Sequence, residues 1–357
     1  MAPPPFFEID GSTLEGGGQI LRNAISLSSL CNKPISINKI RHGRAQPGLK
    51  NQHRVGLQLA STISSGTLIG AKNGSTSVQY TPGFISLPGE FRADSVTAGS
   101  VTLLLQVALP LLLFSNRSPT KIVPSTLTLL GGTNATHAPQ VDHTQNVLIP
   151  FLETHFGIKE GSIVLDINKR GYFPKGGGEI VTTVRPLAQG QKLKSFSLLE
   201  RGKIKSIQGI AHYSKLPSSV GREMIDGAQR ELRRAGYGRA ERDPEDELNE
   251  DLEKEQRVPV NIENRRESND VAVAGGSGIV LWAELEGGGY IGGSAVGRKG
   301  LNPAAVGKEA AELLIKGLDN GGCVDEWLQD QIIIFMALAE GTSEVNCGRD
   351  ELELHTQ

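Results

Sequence analysis

The run Glu8-Ile9-Asp10-Gly11-Ser12-Thr13-Leu14-Glu15-Gly16-Gly17-Gly18-Gln19-Ile20-Leu21-Arg22, with Ile40-Arg41-His42-Gly43-Arg44-Ala45-Gln46-Pro47-Gly48-Leu49-Lys50-Asn51-Gln52-His53 close behind it, decides how the chain reads. Phe6 to Ile9 is apolar enough for a short strand. Three glycines then let the backbone turn tightly and approach a ligand, and Ile20 to Leu30 has the apolar spacing of a helix. The exposed N–H groups that open such a helix form an anion site. Glu15, Gln19 and Arg22 are the ligand-type side chains there. A carboxylate beside a guanidinium suits a metal–phosphate site, since hard divalent cations choose oxygen ligands and bridge to phosphates. A glycine turn with a solvated Glu and Arg explains the first run equally well.

The second run sharpens this. After a strand-like Pro34 to Ile40 come Arg41, His42, Arg44, Lys50, His53 and Arg54 with no acid among them. Pro47 suits the first turn of the helix that follows. At about 3.6 residues per turn, Leu49, Gly56, Leu59, Ala60 and Ile63 share one face with Gln52 and His53, while Lys50, Arg54 and Gln58 fall away. Gln52 and His53 are then either hydrogen-bonded core groups or site residues. The surrounding cations favour a phosphate-rich ligand.

The 357 residues suffice for two domains and a substantial core. The net charge of −2 excludes a global basic field for nucleic acid, so any RNA contact must rest on local patches such as 41–54. Cys31, Cys323 and Cys347 lack metal-ligand spacing, which suggests free thiols in a reducing compartment. Met1 to Pro5 carries no signal-peptide pattern. The apolar run Val101 to Phe114, interrupted by Gln106 and Pro110, is too short for a bilayer and reads as a buried helix. A soluble intracellular protein is expected.

Strand-like and helix-like patterns alternate, giving an α+β (or α/β) architecture. Ser75 to Thr81 is strand-like, and Asp94 or Ser95 could cap an apolar helix running through Leu105. Gln106, just beyond, is a buried polar candidate. Gly131 to Asp142 is a polar loop, followed by a helix burying Val141, Val147, Leu148, Phe151 and Leu152. His137, Asp142 and His143 read as capping and surface polarity. Ile163 to Ile167 is a strand, and a glycine triplet follows Lys175.

From about Pro186 the composition shifts. Phe196 to Gly209 is strand-like, Ser218 or Ser219 caps a helix to Arg234, and Arg239 to Arg257 reads as a solvated loop. Val271 to Leu285 is strand-like and Gly287 to Gly293 a flexible crossing. Asn302-Pro303 starts a helix ending near Gly321. Asp325 caps the next, Glu326 to Ala339, and Val345 to Leu354 is a strand.

Glu15–Arg22, Ile40–His53, Arg170-Gly171-Tyr172-Phe173-Pro174-Lys175-Gly176-Gly177-Gly178-Glu179 and Val324-Asp325-Glu326-Trp327-Leu328-Gln329-Asp330-Gln331 resemble the RNA 3′-terminal phosphate cyclases of the eukaryotic, catalytic branch, over nearly the whole chain. The resemblance implies a large domain of three repeated units, each two helices on a four-stranded sheet, with a smaller inserted α/β domain. Here these would be residues 1–185 and 299–357, and the insert 186–298 with an acidic loop at about 239–257. It implies a ligase working by nucleotidyl transfer with ATP. Histidine attacks the α-phosphate, the AMP passes to the RNA 3′-phosphate, and the 2′-hydroxyl closes a 2′,3′-cyclic phosphate.

Carried over by position, the nucleophile falls on His355 and the metal-binding acid on Glu15, with Mg or Mn as the metal. Arg22, Arg41, Arg44, Gln52 and His53 fall on phosphate-contacting or catalytic positions. Gln106, Pro139, Asp330 and Gln331 fall on the ATP pocket. Trp327 stands where many relatives have Tyr, able to stack on adenine; without the family it would read as a core aromatic. RNA 3′-phosphate ends are the implied partner, and the nucleus or the cytoplasm the implied compartment.

Relatives continue past the histidine, whereas this chain ends two residues after His355. A third unit lacking its last elements is therefore expected. Either the chain is a shortened form, or it binds ATP and RNA ends but turns over poorly. The alternatives are a non-catalytic RNA-processing relative and an enolpyruvyl transferase, which shares the repeated architecture.

Overall fold

The computed structural model describes residues 5–13, 16–114, 123–238 and 258–349. Glu15, His355 and the acidic stretch 239–257 lie outside the described residues. The first unit runs β1 (Phe7–Asp10), α1 (Gly18–Cys31), β2 (Ile35–Asn38), α2 (Asn51–Ile63), β3 (Thr67–Ile69) and β4 (Val78–Thr81). Its sheet has the order β1-β2-β4-β3. β1 and β2 are parallel, Phe7 opposite Ile35, and the other pairs antiparallel.

The second unit repeats this. It runs β5 (Glu90–Asp94), α3 (Val101–Leu113), β6 (Ser125–Gly131), α4 (Val141–His143), a π-helical turn Thr144–Leu148, α5 (Ile149–His155), β7 (Ile163–Lys169) and β8 (Gly178–Val184). The order β5-β6-β8-β7 has the same parallel and antiparallel pairings. β6 and β8 alternate buried and half-buried residues, as strands with one covered face do. α3 is apolar almost all round, hence enclosed. Ser26 on α1 sits against it, donating to the Val107 carbonyl at 3.0 Å.

Short strands follow. β9 (Leu193–Lys194) and β10 (Ser197–Leu198) pair in parallel with β15 (Ala339–Glu340) and β16 (Glu344–Val345). Between them in sequence lies a separate sheet of β11 (Ile204–Ser214), β12 (Val260–Arg266), β13 (Gly276–Leu285) and β14 (Tyr290–Val296), in the order β12-β11-β13-β14. α6 (Ser219–Arg234) and α7 (Pro303–Asp319) cover it. Its core, including Ile207, Met224, Leu281, Val306 and Leu314, is separate from the main one. The expected boundary at residue 298 falls between β14 and α7, while α7 packs into this second core. α8 (Glu326–Leu338) returns to the main core through Leu328, Ile332 and Phe335.

Several details differ from the sequence reading. Pro47 does not open a helix. Gly48 follows at φ +84°, a left-handed backbone, and α2 starts at Asn51 with Lys50 as N-cap. Asp94 and Ser95 do not cap α3, because β5 occupies residues 90–94 and the N-cap is Ser100. α3 continues to Leu113, so Gln106 lies in mid-helix. The strand expected at Phe196 to Gly209 is the short β10 and then β11. Gly287 to Gly293 is mostly β14, which pairs Ile291 with Ala283. Asn302 and Asp325 do cap their helices, accepting from Ala304 N and Leu328 N at 2.8 Å each. Of the strand expected at 345–354, Glu344–Val345 forms β16, and residues from 350 lie outside the described ones. Among the described residues no helix is long and apolar enough to cross a membrane.

Candidate functional site

The helices of the two units meet at α1, and the site forms there. The N-cap of α1 is Gly17, with no side chain capping the first turn. The opening amides of a helix carry partial positive charge and attract anions. A Cβ on Gly18 would come within 2.8 Å of His53 Nε2 and 2.9 Å of Arg22 Nη1. Those two nitrogens thus converge on the start of α1, and glycine is the residue that leaves the space open.

His53 is held for this task. Its Nδ1 accepts from the Lys50 amide at 3.2 Å, which places the proton of the neutral ring on Nε2, facing Gly18. Burial, with Arg22, Arg41 and Lys50 nearby, pushes its pKa down to about 3, so the ring is neutral at physiological pH. Gln52 serves the neighbouring helix: its Oε1 accepts from Ser100 N, the N-cap amide of α3, at 3.0 Å. Arg41 turns inward, donating to the carbonyls of Gln46 at 2.8 Å and Gly48 at 3.0 Å. It shapes the 41–48 loop and lends charge, while Arg44 beside it is exposed.

A small cavity opens on the other side of α1, lined by Gln19, Thr102, Gln106, Thr144, Gln331 and Phe335 among others. Gln19 divides it from the glycine cradle, bonding Arg22 through Oε1 and the Asp330 carbonyl through Nε2 at 3.1 Å. Gln331 Nε2 donates to the Trp327 carbonyl at 3.0 Å, which fixes Oε1 as the free end of the amide. Three buried oxygens here have no hydrogen-bond partner among the described residues: Gln106 Oε1, Thr144 Oγ1 and Gln331 Oε1. Buried polar groups are nearly always satisfied, so such a set is suited to a polar ligand. Pro139 is buried next to it, its carbonyl accepting from Thr102 Oγ1 at 2.9 Å. Trp327, half-buried, lies one helical turn before Gln331 on the same face.

The structure thus brings Arg22, Gln52 and His53 to one wall, lining a second hollow beside α3, and Gln106 and Gln331 to the adjoining cavity. Pro139, Asp330 and Trp327 touch it through their carbonyls, which accept from the lining residues Thr102, Gln19 and Gln331, and Arg41 is committed to its own loop. Among the described residues no group of three or more His, Cys, Asp or Glu side chains is placed to hold a metal. The metal site expected at Glu15 falls outside them.

Two readings require correction. Asp142 and His143 are not surface residues: they are 0 % and 1 % exposed. Asp142 takes a bidentate Arg170 guanidinium, Nη1 at 2.5 Å and Nη2 at 2.9 Å, and Arg170 also reaches Glu267 at 2.9 Å. Burial pushes the Asp142 carboxyl up, but Arg170 and His212 beside it prevail and hold it well below the ordinary carboxylate range. His143 Nε2 bonds Asp325 Oδ2 at 2.9 Å. His137 is exposed, as expected. Thr144 was missed altogether. It has no local signal, because only the π-helical turn aims its hydroxyl into the cavity, and such turns recur at functional sites.

The class is an α+β protein with an open helix start, faced by His53 and Arg22, beside a cavity whose amide oxygens lack a partner among the described residues. A family model for RNA 3′-terminal phosphate cyclase matches residues 13–357. A Dictyostelium discoideum protein named "Probable RNA 3′-terminal phosphate cyclase" is 40 % identical over 357 residues, 99 % of this chain and 75 % of that protein. The RNA 3′-terminal phosphate cyclase of Drosophila melanogaster is 38 % identical over 351 residues, 98 % and 88 % of the two chains. That of Archaeoglobus fulgidus is 38 % identical over 337 residues, 94 % and 89 %. The chain belongs to the RNA 3′-terminal phosphate cyclase family.

Proposed function

We propose that this protein converts an RNA 3′-terminal phosphate to a 2′,3′-cyclic phosphodiester at the expense of ATP. The observation that carries the reading is the convergence of His53 Nε2 and Arg22 on the open start of α1, beside the Gln106–Thr144–Gln331 cavity. The cavity would take the nucleoside: acceptor oxygens without a partner among the described residues suit the exocyclic amine of adenine, and Trp327, one helical turn from Gln331, has a ring that could stack on it. The cradle is fitted to phosphate. Neutral His53 donates through Nε2, and the guanidinium of Arg22 neutralises charge in a step that depends chiefly on positioning and electrostatics.

His355 attacks the α-phosphate of ATP and expels pyrophosphate. The AMP then moves to an oxygen of the RNA 3′-phosphate, and attack by the neighbouring 2′-hydroxyl on that phosphorus releases AMP and closes the ring. Glu15 would hold a divalent metal, which would supply positive charge to the phosphates. The inserted unit, expected at 186–298, we take to extend through α7, because α7 closes its core.

The test is intact-mass spectrometry after incubation with ATP and a divalent metal, followed by addition of a 3′-phosphorylated RNA. An AMP adduct that requires His355, and an RNA product resistant to phosphatase, are expected. A folded, ATP-binding protein that yields neither would overturn the reading.

A further inference from the structure

The glycine-rich hairpin after β7 does not line the cavity, yet contacts connect it to the cradle. Arg54 on α2 donates to Asn51 Oδ1 at 2.6 Å, and Asn51 Nδ2 donates to the Ser95 carbonyl. Ser95 begins the loop 95–100, whose end is held by Gln52. That loop lies under the hairpin: a Cβ on Gly176 would sit 2.9 Å from Ala98 Cα and 3.0 Å from the Thr97 carbonyl.

The base of the hairpin is closed by Gly176 N donating to the Tyr172 carbonyl at 2.9 Å. Tyr172 is buried, 3 % exposed, and hydrogen-bonds His212 Nδ1 at 3.0 Å. On this rigid base Phe173, Pro174 and Lys175 project outward. Phe173 is 71 % exposed, Val96 at the tip of the adjoining loop 77 %, and Val273, packed against Gly177, 56 %. Lys175 and Lys215 flank them, both exposed, the Lys215 ammonium donating to the Val273 carbonyl at 3.3 Å. Asp94, the acid next to Val96, has its carboxylate turned onto the Val96 amide at 2.7 Å.

An aromatic ring displayed on a braced hairpin, with lysines about it, and Lys50 and Arg54 on the helix whose Asn51 and Gln52 hold the underlying loop, has the elements of a single-strand nucleic-acid track. Such tracks combine backbone cations with a ring on which a base stacks, and a base can stack on a side chain only where it is unpaired. We propose that Phe173, flanked by Val96 and Lys175, is a stacking platform for the unpaired nucleotides upstream of the RNA 3′ end. This rests on the cyclase reading, which supplies the RNA.

The test uses the full chain and fluorescent RNA oligomers ending in a 3′-phosphate, one long and one of two nucleotides, with affinity read by anisotropy. Phe173→Ala is expected to weaken binding of the long oligomer roughly tenfold, to leave the dinucleotide and ATP unchanged, and to be rescued by Phe173→Trp. Lys175→Ala should lower the salt slope by about one charge. Equal affinity of Phe173→Ala and the parent for the long oligomer overturns the platform. So does an equal loss for both oligomers, or altered self-association with unaltered RNA binding, the sign of a protein-facing surface. A parent protein that binds no 3′-phosphorylated RNA overturns the cyclase reading itself, and the platform with it.

Discussion

The first two units have one topology, and the second helix of each begins alike. In the first, Gln52 and His53 are the second and third residues of α2; in the second, Asp142 and His143 hold those places in α4. Their fates diverge. Gln52 and His53 line a hollow among cations, whereas Asp142 and His143 are closed over by Arg170 and Asp325. A repeated scaffold thus offers the same two places twice, once facing a hollow that we propose takes the ligand and once closed as a joint. Asp142 also has His212 of β11 at 3.7 Å, and Arg170 has Glu267 beyond β12, so the joint ties the second unit to the inserted sheet.

Breaking the joint should have the largest effect. Arg170→Met leaves Asp142 charged and enclosed, and removal of one partner of a buried pair costs about 3–5 kcal/mol. The urea midpoint should fall accordingly, and Asp142→Leu added to Arg170→Met should recover much of the loss. If the single variant unfolds like the parent, the joint carries no such weight.

Filling the ligand place should affect activity instead. Gly18→Ala puts a methyl where His53 Nε2 and Arg22 Nη1 now meet. Displacement of such groups by about 1 Å costs on the order of 10²-fold in rate, so RNA cyclisation should fall by that order while the melting temperature changes little. A smaller effect is expected at Gln331→Leu. It removes an oxygen with no partner among the described residues, so stability should hold or rise, while ATP affinity measured by calorimetry drops about tenfold.

This contrast explains what could be read from sequence. α1, α2 and the caps at Asn302 and Asp325 were legible, because glycine breaks, apolar spacing and capping residues are local signals. Asp142 and His143 were not. A polar pair at the start of a helix looks the same whether it meets water or an arginine 28 residues further on, and the partner is a matter of tertiary packing. β5 and β12 do alternate, Phe91 and Ala93 against Glu90, Arg92 and Asp94, and Val260 and Ile262 against Asn261 and Glu263, but with only two apolar residues each among charged ones the pattern is too short to stand out. Thr144 escaped because a π turn changes where a side chain points without changing the composition around it.

The two regions should also part company on acidification, though more gently. His53 and His212 both have pKa values pushed down to about 3, chiefly by burial and then by neighbouring guanidinium groups. The unfolded chain takes up their protons near pH 6.5, the folded one near 3. Their contribution to stability is therefore complete above pH 6.5 and declines as pH falls toward 3, each with a slope of up to about 1.4 kcal/mol per pH unit. His53→Gln, which keeps an acceptor for the Lys50 amide, should reduce the slope of the urea midpoint between pH 6 and 4.5. Inorganic phosphate should do the same to the parent, because an anion in the cradle would offset the cations that disfavour His53 protonation. His212, enclosed with Asn134 and Gln140 at the joint, is out of reach of that anion. An acid slope unchanged by phosphate in the parent would mean that the cradle does not bind it, and the distinction between ligand place and joint would fail at its simplest point.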